Sequence, residues 1–67
     1  NAKVTFKTAD QQICITTMPV PPRIGEQIEI LATTKRYTVD NVVWEILAHD
    51  SDNYPSHQAT VYVRPLA

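Results

Sequence analysis

The segment Pro21-Pro22-Arg23-Ile24-Gly25-Glu26 constrains the fold more than any other part of the chain. Adjacent prolines exclude a helix interior or a central strand, because each lacks an N–H and holds φ near about −65°. Gly25, the only glycine, follows where a turn calls for positive φ. Behind it, Gln27-Ile28-Glu29-Ile30 alternates with the period of a half-buried strand. A rigid extended entry, a turn and a strand together open a β-meander.

The same alternation runs through most of the chain. Val4 and Phe6 alternate with Lys3, Thr5 and Lys7, giving a first strand with one apolar face. Ala9-Asp10-Gln11 is a polar break of hairpin length, after which Ile13 and Ile15 alternate with Gln12, Cys14 and Thr16. Pro19, Pro21 and Pro22 keep Thr17 to Arg23 extended. Ile24, Ile28 and Ile30 form the next apolar row, and Ala32 to Lys35 is a turn. The longest strand spans Arg36 to Ala48, with Tyr37 and Val39 in one phase and Val42, Trp44 and Ile46 in the other. One strand can carry both phases only around an extra residue, so a β-bulge is expected at Asp40-Asn41. Val39, Val42, Val43 and Ile46 also fit a helical spacing, but β-branched side chains favour the strand. His49 to Gln58 is a polar loop, and Val61 and Val63 mark a last strand that stops at Pro65. Trp44, in phase with Val42 and Ile46, is expected in the core, where its bulk would supply much of the burial, whereas a bulge elsewhere would expose it as an interface anchor.

Size bounds what this architecture can do. A chain of 67 residues is one domain, and a domain of that length buries only about 60% of its unfolded surface. A single cysteine excludes an internal disulfide, so a compact core must supply the stability, helped by self-association. The lone thiol also points to a reducing, cytoplasmic setting. No apolar run is long enough for a membrane helix and no signal peptide is evident, so no membrane role is expected. Asn1-Ala2 has the look of a remnant left by affinity-tag cleavage, which assigns residues 3–67 to the domain.

Short strands with a bulge in the longest predict an all-β fold, a small closed or half-closed barrel of about five antiparallel strands. The series Pro22-Arg23-Ile24-Gly25-Glu26, Tyr37-x-Val39-x-x-Val42-x-Trp44 and Val61-x-Val63-x-Pro65-Leu66 resembles the SH3-like barrels of short bacterial, phage and mobile-element proteins. The resemblance covers nearly the whole chain and implies a fold more than an activity, since many such proteins have none assigned. The acidic loop and paired tyrosines of eukaryotic SH3 domains are missing, so no proline-peptide function carries over.

Three groups of residues could carry chemistry. If the terminal strands pair, Lys3, Lys7, Tyr62 and Arg64 share an outer face, to which Lys35 and Arg36 could add. Cations interleaved with an aromatic ring can neutralise phosphate and stack a base of single-stranded nucleic acid. The same cations also serve as ordinary edge protection, and the net charge of −1 gives no global pull on a polyanion. A second group, His49, Asp50, Asp52 and His57, offers imidazole and carboxylate ligands for a divalent metal. Its spacing matches no zinc pattern, and it lacks the glycine and glutamate of a calcium loop. The third is Cys14, whose side chain is expected opposite those of Ile13 and Ile15, with no histidine or helix terminus near in sequence to activate it. No catalytic constellation and no cofactor motif is present in the sequence. The expectation is a non-enzymatic module that binds another protein or itself, with nucleic-acid binding as the alternative and a metal-binding loop third.

Overall fold

Each alternating run becomes a strand in the computed structural model, which describes residues 1–46 and 57–66. Five strands form one sheet: β1 (Ala2–Lys7), β2 (Gln12–Met18), β3 (Gln27–Ile30), β4 (Lys35–Ile46) and β5 (His57–Pro65). Their spatial order is β2-β1-β5-β4-β3. The sheet curls strongly into a half-barrel, with no helix among the described residues.

One feature of this topology departs from expectation, and a second selects the half-closed form of the two expected. Neighbouring strands are antiparallel except for β1 and β5, which run parallel with Lys3 opposite Gln58 and Lys7 opposite Tyr62. The barrel is also open, because β2 and β3 lie at opposite edges of the sheet and do not meet. The stagger explains this. β3 pairs with Lys35 to Thr38 at one end of β4, whereas β1 lies against the part of β5 that pairs with the other end. At about 3.4 Å per residue the twelve residues of β4 span about 40 Å, which accounts for the 43 Å long axis of the molecule.

The core lies on the concave face. Ala2, Val4 and Phe6 of β1, Tyr37 and Val39 of β4, and Ala59, Val61 and Val63 of β5 are buried there with Ile30. Ala2 is therefore a packed side chain opposite Met18. The buried Tyr37 hydroxyl stands 3.0 Å from Thr33 Oγ1, and no buried side-chain polar atom among the described residues lacks a partner.

The expected bulge is present. Val39 faces Val63 and Asn41 faces Tyr62, leaving Asp40 as the inserted residue. This keeps Val39 on the concave face and brings Val42, Trp44 and Ile46 to the same side. A second bulge lies in the β1–β2 hairpin, where Phe6 faces Cys14 and Lys7 faces Gln12, with Ile13 inserted between. It overturns the expected facing of β2. Ile13 and Cys14 both pack against the core, as does Met18, while Ile15 is exposed on the convex side.

The proline–glycine segment forms the turn it implies. The Glu26 N–H donates to the Arg23 carbonyl at 3.1 Å, and Gly25 between them has φ +92°. Glycine at that place with positive φ fits a type II turn. The turn is tied to β4 just before the bulge, with Gly25 N–H donating to the Val39 carbonyl at 2.8 Å and Val39 N–H to the Glu26 carbonyl at 2.9 Å. Pro21 is buried, but Ile24 is exposed and does not join the core row expected of it.

Candidate interaction surface

The bulge at Asp40 decides the fate of Trp44. It sets the indole on the concave side as anticipated, in a row with Ala59, Val4 and Thr16. Burial does not follow, and Trp44 is 44% exposed, which corrects its expected place in the core. The cause is the stagger of the sheet. β3 ends its pairing at Thr38, so no strand among the described residues continues alongside β4 past the bulge to cover that face. The indole meets the imidazole of His57 on the facing strand instead, with ring centroids 5.5 Å apart and the planes tilted by 51°.

The segment linking β2 to β3 runs beside this uncovered region. Val20, Pro21, Pro22, Arg23 and Ile24 line, with Val42 and Trp44, an open groove of about 420 Å³. Its rim is apolar and wet: Val20 and Ile24 are each 64% exposed, and Ile46, two residues beyond Trp44 on the same side, is 68% exposed. Large apolar side chains clustered around a concavity mark contact surfaces, whereas single ones are unremarkable. Among the described residues, only Arg23 contributes a charge to the groove lining. Alternation alone gave no sign of this site, since it predicted Trp44 and Ile24 as core. The two prolines before Ile24 were the available signal, because an extended segment without regular pairing partners exposes its side chains on one side.

The convex face distributes the basic residues differently from the expected platform. Because β1 and β5 are parallel, Lys3 and Arg64 lie at opposite ends, and only Lys7 is directly beside Tyr62. Arg64 pairs with Asp40 at 3.0 Å and Arg36 with Glu29 at 3.2 Å. Lys3 shares a row with Gln58 and Glu45. Lys35 faces Ile30 in the opposite phase from Arg36, which takes it off this face. The five cations of the expected platform are thus interleaved with carboxylates or separated.

Of the metal-ligand candidates, His49, Asp50 and Asp52 lie outside the described residues, while His57 begins β5 beside Trp44. The described residues contain no cluster of three side chains suited to a metal ion. Cys14 faces Phe6 across the β1–β2 ladder and is partly buried on the core side, not on the side away from it.

The fold and surface define a small all-β half-barrel with an apolar groove on its open side. Comparison of the chain with protein-family models, curated proteins and solved structures found no match.

Proposed function

We propose that this chain is a non-enzymatic β-barrel interaction module that works by contact with another protein or with itself. The carrying observation is the exposed apolar groove between the proline segment and β4, with Val20, Ile24, Trp44 and Ile46 around it. A half-exposed tryptophan beside a concavity is the residue type that anchors protein interfaces. Such a surface costs a free monomer solubility, a cost that a contact role explains. The single thiol supports a cytoplasmic setting.

A photo-crosslinking residue placed at Ile24, and separately at Lys3 on the convex side, tests the reading in extracts of the source cells. The Ile24 position is expected to give a discrete protein adduct that Trp44→Ala abolishes, and the Lys3 position none. Adducts from Lys3 alone would overturn it.

Nucleic-acid binding is the second reading, favoured by the direct juxtaposition of Lys7 and Tyr62. It requires affinity that falls steeply with salt, whereas an apolar groove requires little salt dependence.

A further inference from the structure

The sheet is open, so it has edges, and they are not alike. β3 is four residues long, contains Glu29 and follows Glu26. The free stretch of β4 beyond Thr38 begins at the bulge and carries Asp40 and Glu45. Short length, charge and bulges are the devices that keep edges from pairing. The third edge, β2, has seven residues, Gln-Ile-Cys-Ile-Thr-Thr-Met, with no charge, no proline and no glycine. Five of the seven are β-branched or sulfur-containing residues of the stretch Cys14–Met18, which is regular because the bulge lies before it at Ile13. Among the described residues nothing pairs with its outer side.

We propose that β2 is a homodimerisation edge, pairing antiparallel with β2 of a second copy about a two-fold axis at Thr16. This deepens the reading of the chain as an interaction module and uses a surface separate from the groove. Charge selects the occupant. A strand without a charged side chain gives a foreign strand no electrostatic feature to choose, yet against itself it sets up no like-charge opposition. The axis follows from the regular stretch, of which Thr16 is the midpoint. It sets Cys14 against Met18 of the second copy on the concave side, Thr16 against Thr16, and Ile15 against Thr17 on the convex side. Each is a pair that sheets favour or tolerate. Cys14 and Met18 are only partly buried in one copy, and the pairing covers what they still expose. Ile15, 49% exposed, gains Thr17 of the second copy as a flanking neighbour on the convex side. The interface is isologous and closes at two copies. A strand pair of this length buries less than the roughly 1,200 Å² of stable complexes, so the dimer forms in a concentration-dependent manner.

Sedimentation equilibrium from micromolar to submillimolar concentration reads the outcome. The unaltered chain should approach twice its 7.6 kDa mass. Thr16→Lys and Thr16→Glu, each placing like charges across the axis, should stay at the mass of one chain with the circular dichroism of the unaltered protein. Mixed in equal amounts, the two should regain the doubled mass, which a merely misfolded pair would not do. Trp44→Ala should dimerise like the unaltered chain. A single-chain mass at every concentration, or dimers that persist in Thr16→Lys, would overturn the proposal. Dimers lost in Trp44→Ala but kept in Thr16→Lys would assign self-association to the groove, leaving the contact reading intact and removing the β2 edge from it.

Discussion

Gly25 illustrates how much a single backbone angle decides. Its φ of +92° lies where a Cβ is strained, although a Cβ there would meet nothing within 4 Å. Replacement by alanine therefore carries a backbone penalty with no packing penalty. Gly25→Ala is expected to lower stability by about 1–2 kcal/mol, the usual strain of an L-residue in that region, measured by urea unfolding. A neutral result would mean that the turn relaxes out of its positive-φ conformation. Cys14 shows the opposite dependence at the same scale. Its chemistry is local, but its facing is set by the inserted Ile13, and a one-residue insertion moves it from the expected outer side to the core side.

At the scale of elements, the bulge in β4 is the joint on which the concave face depends. Asp40 has two separable roles there: it is the extra residue of the strand, and its carboxylate pairs with Arg64 at 3.0 Å. The ion pair is exposed, with side-chain accessibilities of 45% for Asp40 and 70% for Arg64, and exposed pairs contribute about 0–1 kcal/mol. The bulge matters far more, because with Asp40 present and no bulge to absorb it Val42, Trp44 and Ile46 would turn to the convex face. Asp40→Asn is thus expected to shift the denaturation midpoint only slightly. Deletion of Asp40 is expected to keep a cooperative transition, followed by near-ultraviolet circular dichroism of Trp44, because Val39, Val42, Trp44 and Ile46 then alternate regularly on one face. Loss of cooperativity after the deletion would show that the bend and twist of the bulge, and not its phase alone, hold the sheet. β2 and β3 show how differently two edges of one sheet are treated, since only β3 combines brevity with a charged residue.

Across the whole molecule, charge is balanced as well as small. The net charge is −1, and two of the convex-face cations already hold carboxylate partners. Fluorescence anisotropy of labelled single- and double-stranded oligonucleotides, at low and near-physiological salt, should show no binding. Salt-sensitive binding that Lys7→Glu removes would instead place nucleic acid first, because each neutralised phosphate steepens the salt dependence. The strands, both proline breaks, the turn at Gly25 and the bulge at Asp40-Asn41 were legible in the chain itself. Each follows from residues adjacent in sequence: alternation requires strands, proline removes donors, glycine admits positive φ, and a phase slip demands an inserted residue. The groove was not legible, nor was the parallel pairing of β1 with β5 that separates Lys3 from Arg64. Those depend on which strands become neighbours and how far they are staggered. Trp44 shows the division within one side chain. Its phase assigned it to the concave face, but its exposure was decided by a strand that ends opposite Thr38, because burial needs a second surface and periodicity specifies only one.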